Sequence, residues 1–199
     1  VVSLGDTTLA DIVKDYIKIR YKKPGDVFLG VIHRLDRPVS GAIIFARTSK
    51  GLSRMNEVFR NKAIKKTYLA ICEKRPENFE GTLSNFIYKD QKKNKAFIHQ
   101  SAKRGAKKAI LNYRLLAEVS GRALLEVDLE TGRPHQIRAQ LAHMGCPIVN
   151  DIKYGAAKFG TKGIIYLHCS SMEFIHPVKK EPIKFTAEIP DDQIWEPFS

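Results

Sequence analysis

Two segments in the middle of the chain constrain the fold most. "KAILNYRLLAEV" (108–119) and "RALLEVDLET" (122–131) both alternate apolar with polar residues, and Ser120 and Gly121 lie between them. Alternation has the period of a strand, and a two-residue break ending in glycine is hairpin chemistry. The spacing therefore predicts an antiparallel hairpin. Further strands are expected at "KKTYLAICE" (65–73), "AFIHQS" (96–101), "IIYLHCSSMEFI" (164–175) and "PIKFTAEIP" (182–190). Helical spacing appears at 7–20, through Leu9, Ile12, Val13, Tyr16 and Ile17 with Asp6 or Thr7 as cap, and at 49–64, through Leu52, Met55 and Phe59. A third helix is expected over 131–145, opening near Thr131 and Gly132 with Pro134 in its first turn and closing at Gly145. Many strands, few helices and no repeat, low-complexity tract or linker imply a single α+β domain, residues 1–199, on a large, mainly antiparallel mixed sheet flanked by helices.

Within that frame one short stretch is out of place. "HRLDRPVSG" (33–41) sets Asp36 among His33, Arg34 and Arg37, between the apolar runs "VFLGVI" (27–32) and "GAIIFA" (41–46). Those runs read as strands buried on both faces. A charged cluster between them is either a surface turn or a reactive group held rigidly at the edge of a core.

Charge narrows the partners. The 34 Lys and Arg against 21 Asp and Glu leave +13, which points to a polyanion. No apolar run reaches the roughly 18 to 20 residues of a membrane span, so nucleic acid leads and no membrane partner is expected. Between Lys89 and Lys108 the chain carries eight Lys and Arg and one acid. This stretch is either a solvated hairpin or an arm that contacts phosphates, with Lys92, Lys93, Lys103 and Arg104 as candidates. Cys72, Cys146 and Cys169 are widely spaced and lack a CxxC pattern, so they read as small buried hydrophobes in a reducing compartment, with neither disulfide nor zinc.

Several chemistries lack their signature. "GAAKFGTK" (155–162) has Thr161 and Lys162 in the wrong order for a phosphate-cradling loop. No GxSxG elbow and no HExxH occur, and His135 and His143 are eight residues apart on one helix without sharing a face. An aspartate acting alone as a nucleophile needs neither metal nor cofactor, but it must stay ionised and be held still. An arginine fork meets both needs. Arg138, on the third helix and pointing the same way as His135, suits this better than Arg34 or Arg37 on the turn itself.

"HRLDRPVSGAIIFA" resembles the HRLDxxTSG motif of the RluA-like RNA pseudouridine synthases, the large-subunit ribosomal RNA type. "TGRPHQIRAQLAHMGCPIVNDIKYG" is similar to that family's second long motif, "KKTYLA" to its KxYxA strand, and "YLHCSSMEFIHP" to its LHAxxLxFxHP segment. The four stand in the family's order between residues 31 and 177. The resemblance implies the pseudouridine synthase fold and isomerisation of specific uridines to pseudouridine in structured RNA, ribosomal or transfer, by a cytoplasmic monomer without cofactor or metal. It implies Asp36 as catalytic aspartate, Arg138 as its ion-pairing arginine and Tyr68 as the tyrosine that meets the flipped base and acts in proton removal. Arg34 would fill the space the base leaves, and Leu167 would pack on the uracil. His33, Arg133 and His135 are expected to contact substrate.

Val39, Gln140, Asn150 and Cys169 depart from the motifs at positions with no implied catalytic role. The family's NKPxG strand and the S4-like RNA-binding module of many members are expected to be missing ahead of the first helix. Two other readings stay open: a non-catalytic RNA-binding protein on the same fold, and an aspartate-dependent nucleosidase or glycosidase with Asp151 or Asp128 as its second carboxylate.

Overall fold

The long hairpin forms and organises a sheet. In the structure, a computed structural model that describes residues 7–102, 105–159 and 163–198, β7 (Lys107–Val119) pairs antiparallel with β8 (Arg122–Leu129). Ser120 and Gly121 both have positive φ, the backbone that a tight two-residue turn demands. β8 continues into β4 (Ile64–Cys72), then β9 (Leu167–Ile175) and β10 (Pro182–Thr186); on the other side of β7 lie β5 (Glu80–Asp90) and β6 (Lys95–His99). The path β10-β9-β4-β8-β7-β5-β6 is antiparallel throughout. A short β2 (Ser40–Gly41) adds to β9 in parallel, which makes the sheet mixed.

β4 shows how the sheet divides its labour. Ile64, Lys66 and Tyr68 face one side and line a cavity there. Lys65 and Thr67 face the other side, where both meet Asp128. Successive side chains of a strand alternate faces, so this split follows from sequence order alone. Between Thr67 and Tyr68 the pairing with β9 slips by one residue; such bulges re-aim neighbouring side chains. The core, with Ile71, Leu111, Leu125, Val127, Ile148 and Met172 almost wholly buried, runs along the middle strands.

Among the described residues there are three α-helices: α1 (Leu9–Arg20), α2 (Ser49–Arg60), which packs on β1 and β3, and α3 (Gln136–His143), which packs on β5 and β6. Thr8, rather than Thr7, caps α1 with Asp11 in a reciprocal box, and Asp6 lies outside the described residues. Of the apolar positions read at helical spacing in α1, only Ile17 is buried; Leu9, Ile12 and Tyr16 are exposed. The run 27–32 also differs from expectation. It contributes a two-residue strand β1 (Gly30–Val31), paired with β3 (Phe45–Ala46), and leaves Phe28 and Val31 exposed. β5 carried too weak an apolar alternation to be anticipated, since its central residues are only half-buried.

α3 is five residues shorter at its start than its spacing predicts. Residues 131–135 form a loop instead, captured by side chains: Thr131 Oγ1 donates to Gln136 Oε1 at 2.8 Å, and Gln136 Nε2 donates to the Ile110 carbonyl at 3.0 Å. Residues 136 to 141 are then all buried, polar ones included. Buried amides are as a rule partnered; Gln140 is half so, its Oε1 buried without a hydrogen-bond partner among the described residues. Gln140 Nε2 donates to Asn85 Oδ1 and to the Leu83 and Ala109 carbonyls, which fastens α3 to β5 and β7.

The parallel pairing of β2 positions the turn that carries Asp36. Gly41 sits at φ 116° against the backbone of Cys169, where an added Cβ would fall inside contact distance of the Cys169 nitrogen and oxygen. Gly41→Ala should cost about 2 kcal/mol or more, from backbone strain plus the clash. A urea-unfolding midpoint indistinguishable from that of the parent protein would refute this.

Candidate active site

The turn between β1 and β2 hangs over the cavity side of the sheet. Val39 N–H donates to the Asp36 carbonyl at 2.9 Å and closes the turn, while Ile165 N–H donates to Pro38. The cavity beneath, about 740 Å³, is lined by the turn, by β4, by the 129–135 loop and by the start of α3. Five of the residues singled out in the sequence, Arg34, Asp36, Tyr68, Arg138 and Leu167, line it, and so do His33, Arg133 and His135.

Arg138 is the centre of the site. It is 5% exposed, and its Nη1 donates to Asp36 Oδ2 at 3.1 Å. The fork expected to clasp Asp36 clasps Asp151 instead, with Nε to Oδ2 at 2.7 Å and Nη2 to Oδ1 at 2.8 Å. Burial works against the guanidinium charge; the bonds to Asp151 and then Asp36 outweigh it and raise the Arg138 pKa. The Tyr154 ring lies 5.1 Å from the guanidinium carbon and adds a cation–π contact. Asp36 therefore has one oxygen held, while Oδ1 has no hydrogen-bond partner among the described residues.

His135 takes up the other side of Asp36. It stands just before α3 in the left-handed region, φ 54°, and its ring makes no capping bond. Nδ1 lies 2.8 Å from Tyr154 Oη, and Nε2 lies 3.1 Å from Lys89 Nζ and 3.8 Å from Asp36 Oδ2. An ammonium can only donate, so Nε2 accepts from Lys89 and Nδ1 carries the proton. Tyr154 Oη then accepts from both His135 and the Ala96 N–H, at 2.8 Å each. Burial, despite the opposing pull of Asp36, lowers the His135 pKa to about 4, so the His135 to Asp36 contact is not an ion pair at neutral pH.

His33 serves the fold as well as the cavity. Its Nε2 accepts the Ile44 N–H at 3.0 Å and its ring stacks on Phe59. Burial and the nearby Lys66 lower its pKa to about 4. Tyr68 is 8% exposed; burial first, then Cys169 and Asp36, push its phenol far above the usual tyrosine range. Arg133 Nε is committed to the Lys108 carbonyl at 2.8 Å, whereas Arg34 is exposed at the mouth. Lys92 and Lys93 lie exposed at the turn between β5 and β6, away from the cavity lining. Lys103 and Arg104 lie outside the described residues.

Sequence reasoning missed Lys66, Lys89, Asp151 as the holder of Arg138, and Tyr154. Lys66, Asp151 and Tyr154 stand inside the quoted motifs, so a signal was present for them; Lys89 had only its place in the basic stretch. Both proposed second carboxylates are placed where they cannot act with Asp36. Asp151 is 1% exposed with both oxygens on Arg138, and Asp128 faces the opposite side of the sheet. Among the described residues no cluster of His, Cys, Asp and Glu is arranged to hold a metal ion, and no helix is long and apolar enough to cross a membrane.

Comparisons with known proteins show the family. Residues 2–143 match the family described as RNA pseudouridylate synthase. The chain is 31% identical over 176 residues to the ribosomal large subunit pseudouridine synthase D of Xylella fastidiosa, covering 82% of this chain and 52% of that protein. It is 36% identical over 161 residues to an uncharacterized RNA pseudouridine synthase of Zymomonas mobilis, covering 80% and 73%. It superposes on the human RNA pseudouridylate synthase domain containing 4 with a TM-score of 0.78 over 94% of this chain and 81% of that one, at 22% identity, a likeness of fold. The chain spans about half the length of most curated relatives it matches.

Two of the histidines with depressed pKa values, His33 and His135, line the cavity and make stability depend on pH; His168, lowered by burial, acts in the same direction. Between the ordinary value of 6.5 and about 4 the unfolded chain binds protons that His33 and His135 refuse when folded. Stability from both rings is present above that window and lost as pH falls through it, by about 2 kcal/mol for each half-buried ring once solvent screening is allowed for. Urea midpoints measured from pH 7 to 4.5 should fall less steeply in His33→Gln, whose amide oxygen can still accept the Ile44 N–H. Parallel curves for variant and parent would remove His33 as a source.

Proposed function

Because the chain belongs to the RNA pseudouridylate synthase family, we propose that it isomerises uridine to pseudouridine in structured RNA, with Asp36 as the nucleophile. The observation that carries this reading is Asp36 itself. One carboxylate oxygen is held by Arg138 at 3.1 Å and the other is unpartnered among the described residues, at the wall of a cavity of about 740 Å³ bordered by Arg34, Arg60, Lys62, Lys66 and Arg133. A cavity of this size takes a nucleoside, and the cations suit its phosphates.

In the proposed reaction a uridine leaves the stack and enters the cavity, and Arg34 at the mouth takes the place it vacates. Asp36 attacks a carbon of the sugar or base as the N1–C1′ bond breaks. The freed uracil turns between Tyr68 and Leu167, a C5–C1′ bond forms, and the bond to Asp36 breaks, which returns the carboxylate. C5 loses its hydrogen as a proton and N1 ends protonated, so the product is an isomer of the substrate. Tyr68 works as a phenol: its raised pKa keeps the proton on, so it takes part in removing the C5 proton only by passing its own proton onward. No metal or cofactor has a part in these steps. Ribosomal RNA is the first substrate class, since relatives are named for the large ribosomal subunit; transfer RNA is the second. We place the protein in the cytoplasm as a monomer.

Release of tritium from RNA carrying 5-tritiated uridine tests the reading, because isomerisation must lose that hydrogen and binding alone does not. Asp36→Asn should bring release to background while RNA affinity changes less than about twofold, since the amide keeps the shape without the nucleophile. Release above background from purified Asp36→Asn would overturn the assignment.

Arg138 gives a second test. Arg138→Ala leaves Asp151 buried without a counter-ion and should cost about 3 to 5 kcal/mol of stability. Arg138→Lys keeps the charge but cannot bridge two carboxylates, so it should recover stability better than activity. Full activity in the lysine variant would refute the need for the fork.

A further inference from the structure

Beside the cavity lies a group of cations that the proposed reaction does not use. Lys89, near the end of β5, donates to Asn94 Oδ1 at 2.6 Å. Lys153, in the turn after α3, donates to the Asn94 backbone carbonyl at 3.2 Å. Asn94 occupies the β5–β6 turn with φ 46° and presents both of its oxygens to the two ammonium groups. Neither lysine has a carboxylate within ion-pair distance among the described residues. Two like charges held side by side by neutral carbonyls repel each other unless an anion joins them.

The pair is also close to the reacting carboxylate. Lys89 Nζ and Asp36 Oδ2 stand 3.1 and 3.8 Å from the same His135 Nε2, so both approach one edge of a single imidazole and lie no more than about 7 Å apart. Within a nucleotide, the phosphorus lies about one sugar's width from C1′. An anion seated on Lys89 and Lys153 is thus placed where the backbone passes a nucleotide whose ribose is over Asp36. Burial, with the neighbouring Lys153, Arg138 and Arg34, lowers the Lys89 pKa despite the opposing pull of Asp36. The clamp is held rigidly, because Tyr154 Oη ties the Ala96 N–H of the same hairpin to His135.

We infer that Lys89 and Lys153, bridged by Asn94, form the seat of the RNA backbone phosphate next to the nucleotide in the cavity. This rests on the reading of the cavity as a uridine site. It differs from the contacts expected of Lys92 and Lys93, which sit at the exposed tip of the hairpin.

The test measures binding of an unmodified large-subunit ribosomal RNA transcript against salt concentration, with tritium release by the parent protein recorded in parallel. Lys153→Ala should lower the slope of log K against log salt by about 0.7 to 0.9, and Lys89→Met with Lys153→Ala by about twice that. Lys153→Arg should keep the parent slope. Lys184→Ala, on the opposite face of the sheet, is the control for loss of charge alone. Slopes in the Lys153 and double variants no different from that control overturn the inference. Because Lys153 is exposed, its single variant decides the matter even if the double variant folds poorly. Thermal stabilisation of the parent by millimolar inorganic phosphate, together with an unchanged RNA slope, would assign the pair to free phosphate and likewise overturn it. If the slopes change as expected but the parent releases no tritium, the clamp stands and the isomerase reading falls.

Discussion

One buried guanidinium holds the site together. Arg138 joins Asp36, 102 residues earlier in the chain, to Asp151, 13 residues later, while 5% exposed itself. Taking an arginine and a carboxylate out of water is costly, and the attraction between them offsets that cost only when geometry is good and every N–H finds an acceptor. Here the parallel pair of bonds to Asp151 supplies the geometry. The last turn of the 148–151 segment supplies the backbone, with Asp151 N–H donating to Ile148. The reach to Asp36 depends on this anchor, because an arginine free to swing would not present Nη1 in one direction. Asp151 is therefore a positioning residue, and the second long motif is a single device running from the loop before α3 to the turn after it.

The same dependence explains which parts of the structure were legible in the sequence. The hairpin at 108–131 was, because both strands bury one face and the turn requires positive φ at two small residues, and these leave a period and a composition behind. The start of α3 was not. Periodicity reports which face is apolar, and residues 136 to 141 are buried all round, so the helix carries no clean face. What ends it at Gln136 is capture of the preceding loop by Thr131 and Gln136 side chains, an interaction without a repeat. β5 escaped notice for the opposite reason, since an element half-open to water needs little apolar pattern. The run 27–32 misled because apolar residues there, Phe28 and Val31, stay at the surface, and hydrophobic composition does not by itself imply burial.

For the site, residue types were legible and partnerships were not. Asp36 stood out through its charged neighbours Arg34 and Arg37, yet the partner that holds its carboxylate comes from α3. Read from the sequence, the turn and the helix offer one carboxylate to one arginine fork; a second acid competing for the same guanidinium cannot be inferred from spacing. Tyr154 shows the limit most plainly. It touches the Arg138 guanidinium with its face, and His135 and Ala96 with its hydroxyl, three contacts from three elements that only the folded chain brings together.

The arrangement also resolves a conflict built into the proposed chemistry. A site for a polyanion needs many cations, but a carboxylate nucleophile surrounded by cations loses reactivity as each oxygen acquires a donor. Three features keep Asp36 ionised without smothering it. Arg138 commits two of its three donor positions to Asp151 and gives Asp36 a single bond. His135, the next group to approach, is neutral at neutral pH and turns an accepting nitrogen toward Lys89, so it contributes no second charge-assisted bond. Lys89, the next full charge, is held back by Asn94 and by that same imidazole. The left-handed backbone of His135 is the strained element in this arrangement, and strain of that kind persists only where surrounding contacts over-determine it. Its ring is fixed by Tyr154 on one nitrogen and Lys89 on the other. His135 then engages, through the nitrogen nearest Asp36, the cation that would serve the backbone, so that one small cavity can hold it beside the carboxylate that would serve the reaction.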